Sequence, residues 1–158
     1  MKRLTLLRHA QAEQAHTGVQ DFDRHLTLHG LEQARHAATL LSALSPPPAL
    51  IVASASRRTQ ETAAALQTGG LRDSILLHDE RLYLASGATL LSVVREADPA
   101  MAHLLLVGHN PGVSELCRIL SANPDLPELA TAAFTSMVLS IHSWNDVHAG
   151  IAQRGSAE

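Results

Sequence analysis

Apolar residues occur along this chain in short blocks that end abruptly in polar ones. Leu4-Thr5-Leu6-Leu7 gives way to Arg8-His9, Ala49-Leu50-Ile51-Val52-Ala53 to Ser54, and Leu104-Leu105-Leu106-Val107 to Gly108-His109. Apolar blocks of this length, bounded by polar or turn residues, read as strands buried on both faces. They predict strands at about 3–8, 49–53 and 103–107, with a shorter one over Ser74–His78 and a last one over Phe134–His142. Between them the apolar period changes. After Thr27, a predicted N-cap, Leu31, Ala34, Ala38 and Leu41 form one helical stripe that Ser45-Pro46-Pro47-Pro48 stops. Arg58, Thr62, Ala65 and Leu66 lie on a second helix ended by Gly69-Gly70, and a third helix near 87–97 stops at Asp98-Pro99. A fourth is predicted to open with Asn110 as N-cap and Pro111 in its first turn. The segment from about 148 reads as an edge strand or a frayed end.

Strands alternating with helices predict an α/β fold, a mostly parallel central sheet with helices on both faces. At 158 residues, the chain is expected to form a single domain over 1–158. A formal charge of −3 gives no general reason to expect nucleic-acid binding. The single cysteine, Cys117, rules out an intramolecular disulfide framework and reads as a core residue. Only four residues separate Met1-Lys2-Arg3 from Arg8, too few for a secretory leader, and no run reaches the length of a membrane span. A cytoplasmic protein without a membrane partner is the expectation.

The polar residues that end the strands suggest the chemistry. In open α/β sheets, ligands bind beyond the carboxyl ends of the strands. This sequence delivers Arg8, His9, Arg58 and His109 to that edge. Guanidinium groups present planar forks of donors to phosphate, and an imidazole serves as nucleophile or base. Phosphoryl transfer needs these two functions, positive donors around the equatorial oxygens and a nucleophile in line with the leaving group. No Gly-x-x-x-x-Gly-Lys loop is present, so a nucleotide-type phosphate cradle is not expected.

Four motifs carry a family resemblance over about residues 3–115. They are Leu6-Leu7-Arg8-His9-Ala10-Gln11-Ala12-Glu13, then Asp21-Phe22-Asp23-Arg24-His25-Leu26-Thr27 with Gly30, then Ser54 with Arg58-Thr59 and Thr62-Ala63, and last Val107-Gly108-His109-Asn110-Pro111-Gly112. In that order they resemble the histidine phosphatase superfamily, and within it the SixA-type phosphohistidine phosphatases. The resemblance implies that His9 accepts the phosphoryl group and that Arg8, Arg58 and His109 form its pocket. It places Arg24 and Asn110 at the border of the substrate site and makes Glu80 the candidate proton donor. Arg57 lies one position off the family spacing from Ser54, and an ion-pair role is expected for it. Ala10 stands where the family's glycine is usual, which is harmless if its φ is negative. Thr59 and Glu61 replace an alanine and a glutamine and read as surface changes.

The implied activity is a phosphatase working through a phosphohistidine intermediate, without metal or organic cofactor. Larger relatives insert segments around the third strand that cover the pocket. Here the connections are short, which favours a phosphorylated protein, such as a phosphohistidine-bearing phosphotransfer domain, as substrate. A small phosphate ester, a mutase reaction, or recognition of phospho-groups without turnover stay open. Ten histidines raise a metal hypothesis. However, His25, His29 and His36 have no completing cluster and no His-Glu-x-x-His pattern occurs, so solvated histidines are expected.

Overall fold

The computed structural model describes residues 1–154. Its frame is one five-stranded sheet built from β1 (Lys2–Arg8), β2 (Leu50–Ser54), β3 (Ile75–Asp79), β4 (His103–Gly108) and β5 (Phe134–Leu139). The spatial order is β3-β2-β4-β1-β5, parallel throughout except for β5, which pairs antiparallel with β1. Four helices connect the strands, α1 (Leu28–Ser42), α2 (Arg57–Gly69), α3 (Gly87–Arg95) and α4 (Gly112–Ser121). Among the described residues, no helix is long and apolar enough to cross a membrane.

The alternation of side chains along each strand divides the core between the two faces. Leu4, Leu6, Leu50, Val52, Leu104 and Leu106 pack with α3 and α4. Leu7, Ile51, Ala53, Leu105 and Val107 pack with α1 and α2. Thr27 caps α1 as expected, its hydroxyl accepting from the Gly30 amide at 3.0 Å. The α4 cap differs from the sequence expectation. Pro111 rather than Asn110 is its N-cap, and no side chain caps the backbone there. The Asn110 side chain is drawn into hydrogen bonds with Ser114 and Leu129 instead. The final strand also stops three residues short of His142.

Two motif glycines are fixed by close approach rather than by turn geometry. A Cβ on Gly30 would lie 2.1 Å from the Gln11 carbonyl, and one on Gly112 would lie 1.9 Å from that of Ala85. Each lets a loop bordering the sheet's carboxyl edge lie directly on a helix N-terminus. After β5 the chain forms short 3-10 turns at Trp144–Asp146 and Ile151–Arg154. Trp144, Val147 and Ala152 are buried in the α3/α4 core, so this part of the C-terminal segment packs on the sheet rather than extending it; residues 155–158 lie outside the described structure.

Candidate active site

At the carboxyl ends of β1, β2 and β4 lies a cavity of about 320 Å³ bordered by Arg8, His9, Asp21, Arg24, Arg58, His109 and Asn110. Arg8 ends β1 and His9 follows it, while His109 follows β4. Arg58 comes from the first turn of α2, which starts after β2. The four residues singled out as the chemical core are therefore brought together by three adjacent parallel strands.

His9 is buried, and its backbone amide is held by the Gly108 carbonyl at 3.0 Å. Its Nδ1 lies 2.7 Å from the Ala10 carbonyl. A carbonyl can only accept, so Nδ1 carries the proton and Nε2 keeps a free lone pair. Burial, together with the nearby charges of Arg58, Arg8 and Arg24, lowers its pKa to about 4 despite the opposing hydrogen bond to Ala10. The imidazole is thus neutral and nucleophilic at neutral pH. Ala10 is buried and has no positive φ, and its amide donates to Thr62 Oγ1 at 3.1 Å. The alanine in place of glycine therefore meets no left-handed backbone here.

His109 lies beside it, with ring centroids 5.3 Å apart. Its Nδ1 accepts from Arg58 Nη2 at 3.1 Å and its Nε2 donates to Ser54 Oγ at 2.8 Å. Burial first, then Arg58, hold its pKa at about 3. Both ring nitrogens are engaged, so in this arrangement the direct partner of His109 is Arg58 rather than an open phosphate position. Arg58 is 2% exposed. Its Nη1 donates to the Asp21 carbonyl at 2.7 Å and its Nη2 to the Asp21 carboxylate at 3.1 Å.

Among the described residues, two buried side-chain donors have no partner. The Nε atoms of Arg8 and Arg58 are buried and make no hydrogen bond. An orphaned charged donor is costly unless a ligand satisfies it. Both belong to residues that border the cavity, and the guanidinium groups give its wall the positive charge that an anion needs.

Asn110 borders the cavity, but its amide is already used. Nδ2 donates to the Leu129 carbonyl at 2.9 Å, and Oδ1 accepts from Ser114 at 2.6 Å. Arg8 Nη1 donates to the same Leu129 carbonyl at 3.1 Å. Asn110 therefore fixes the loop that holds Arg8. Arg24 reaches the cavity and is clamped to the Asp21 carboxylate at 2.9 and 3.0 Å. Glu80 does not reach it. It is exposed at the start of the 3-10 turn Glu80–Leu82 and is absent from the cavity wall.

Asp21, Tyr83 and Ser54 complete the site, although the sequence motifs assign them no chemical role. The Tyr83 hydroxyl donates to the Asp21 carboxylate, and its ring stands edge-on to His109 at 5.5 Å. Asp21 precedes Arg24 by three residues, a spacing that points to their pairing. Its contact with Arg58 joins positions 37 residues apart, which no local signal reveals. Partial burial pushes the Asp21 pKa up, but hydrogen bonds from Tyr83 and Arg24 and the charge of Arg58 outweigh it and hold the group at about 2. Arg57 pairs with Glu61 at 3.6 Å, as expected of a surface pair. Glu61 also accepts from the Leu26 amide at 2.7 Å, tying the 11–27 loop to α2. Thr59 corrects the surface reading: it is fully buried, donating to the Ser54 carbonyl at 2.7 Å.

Comparison with known proteins places this geometry. The model of the histidine phosphatase superfamily (branch 1) matches residues 4–82. An uncharacterized protein of Mycobacterium tuberculosis is 31% identical over 116 residues, 73% of this chain and 70% of its own length. A crystal structure from Agrobacterium tumefaciens, assigned as the phosphohistidine phosphatase SixA, superposes with a TM-score of 0.79 at 28% identity, over 87% of this chain and 92% of that one. A mycobacterial glucosyl-3-phosphoglycerate phosphatase shares the fold with a TM-score of 0.71 at 20% identity, over 100% and 97% of the two chains.

Proposed function

The chain belongs to the histidine phosphatase superfamily, and from that premise we propose that it hydrolyses phosphohistidine on a protein through a phosphoryl group carried by His9. In the first step the Nε2 lone pair of His9 attacks phosphorus, and the bond from phosphorus to the substrate nitrogen breaks. That electron pair stays on the departing imidazole, which leaves as a neutral ring when it carries a proton beforehand. Arg8 and Arg58 supply donors to the phosphoryl oxygens, and His109 and Ser54 hold Arg58 in place. In the second step water attacks phosphorus, His9 Nε2 recovers its electron pair, and inorganic phosphate departs.

The observation that carries this reading is the acid–base inventory of the cavity. Among the described residues, Asp21 is the one carboxyl group on its wall, and it is held ionised with a pKa of about 2. His9 and His109 are neutral near pH 7. No group there stores a proton for an alkoxide leaving group, which needs one. An imidazole leaving group titrates near neutrality and does without such help. The likeness to the Agrobacterium protein points the same way.

The test is phosphate release by the purified protein from a phosphohistidine-bearing protein and from a panel of phosphate esters, in excess EDTA. Turnover of phosphohistidine well above every ester is expected. Preference for one small ester would leave the family assignment intact and move the substrate to metabolism. Silence on all substrates with retained phosphate affinity would favour a binding module.

A further inference from the structure

Three guanidinium groups border the cavity, those of Arg8, Arg24 and Arg58, and one carboxylate among the described residues stands against them. That carboxylate, Asp21, collects four donors. Arg24 Nε and Nη2 reach Oδ1 at 3.0 and 2.9 Å, while Arg58 Nη2, at 3.1 Å, and the Tyr83 hydroxyl reach Oδ2. A purely structural clamp on Arg58 is already supplied by the Asp21 backbone carbonyl, at 2.7 Å. What the side chain adds is negative charge, shared between two arginines at the mouth of an anion site.

We propose that Asp21 is a built-in counter-anion that sets how tightly the cavity holds phosphate, keeping affinity low enough for the product to leave. The proposal rests on the reading of this cavity as a phosphoryl site. Three cations against one anion leave two positive charges, which a phosphate dianion neutralises. Without Asp21 a third would remain, and inorganic phosphate, the product, would be retained. Asp21 touches the arginines rather than the reacting atoms, so it is a positioning and charge-balancing residue. It sits at the mouth with its side chain 42% exposed, which leaves it within reach of solvent ions and makes its effect sensitive to salt.

Asp21→Asn removes the charge while keeping the backbone carbonyl and one side-chain oxygen as acceptors. Titration calorimetry with inorganic phosphate is expected to show about tenfold tighter binding to this variant. Its dependence on ionic strength should be steeper than wild type, and KM and kcat should fall together. A loosened loop would instead weaken phosphate binding and flatten the salt dependence. Arg24→Gln is expected to weaken phosphate about tenfold, and the double variant, with the wild-type charge balance restored, to return to within about threefold of wild type. Unchanged or weaker binding by Asp21→Asn, or a double variant as weak as Arg24→Gln alone, would overturn the proposal. Wild-type protein that takes up no phosphate, or binds it equally well with Arg58→Ala, would overturn the phosphoryl-site reading itself and the counter-anion with it.

Discussion

The two ends of β4 carry buried histidines with opposite fates. His103, at the amino end, is fully buried, and burial lowers its pKa to about 4. His109, just past the carboxyl end, is 2% exposed and held at about 3. By burial and proton affinity the two are alike. They differ in what surrounds them. His103 Nδ1 donates to the Pro46 carbonyl at 2.7 Å, and its Nε2 accepts from Thr5 Oγ1 at 2.8 Å. Thr5 Oγ1 also pairs with Ser136 Oγ at 3.0 Å, and Ser136 accepts from Arg3 at 3.1 Å. Each polar group in that chain meets another, so it fastens β1, β4 and β5 and asks for nothing more. At the carboxyl end the network is incomplete: two arginine Nε donors are orphaned, His9 Nε2 is free, and a cavity lies beside them. A buried histidine with a lowered pKa therefore does not mark a site by itself, whereas a free imidazole nitrogen beside arginines that line a cavity does.

The largest effect expected is that of His9→Ala. Loss of the proposed nucleophile should lower phosphatase turnover by more than about 10³-fold with the far-ultraviolet spectrum unchanged. Retained turnover would dissolve the distinction between the two ends of the sheet. Arg58→Ala comes next, because Arg58 supplies donors to the cavity and partners both His109 and Asp21. A fall of about 10²-fold in kcat/KM is expected.

His103→Gln sharpens the comparison from the other side. It should cost about 1–3 kcal/mol in urea unfolding, because Thr5 and Pro46 lose a buried partner. The kcat/KM of the folded fraction should stay within about twofold. A catalytic defect without a stability loss would mean that the amino end also serves the chemistry.

Acid should act on both ends alike. His9 and His103 ionise near 4 and His109 near 3 when folded, against 6.5 for the free side chain. The folded state thus binds fewer protons than the unfolded chain in this window, and stability, complete above about pH 6.5, is lost as pH falls. Each histidine contributes about 2 kcal/mol of that loss by pH 5. Thermal unfolding between pH 7 and 5 measures the sum, and His103→Gln should remove roughly a third of the slope. The smallest effect expected is that of Glu80→Gln, which should leave kcat/KM on phosphohistidine within about twofold, since the carboxyl lies outside the cavity.

The strand ends were legible because periodicity sets them. The apolar runs of β1 and β4 each stop at a polar residue, Arg8-His9 and Gly108-His109, which marks their carboxyl ends, and Arg58 lies in the first turn of the helix that follows β2. The helix stripes and the Thr27 cap were legible for the same local reason. The 11–27 loop and the segment after β3 were not. Their side chains are placed by partners remote in sequence, as Asp21 is by Arg58 and Tyr83, so no spacing rule located Asp21 at the cavity or removed Glu80 from it. Thr59 was misread because its hydroxyl bonds back to the Ser54 carbonyl, which allows a polar residue to be buried in the first turn of α2. Asn110 was placed one step too early for the same kind of reason: tertiary partners, Leu129 and Ser114, outcompeted a capping role.

The most direct measurement is rapid quench of the protein with a ³²P-phosphohistidine protein substrate, followed by peptide mapping under alkaline conditions. An acid-labile, base-stable label on the peptide that contains His9, absent from His9→Ala, is the predicted result. Turnover without such a label, or a label that persists in His9→Ala, would contradict the account.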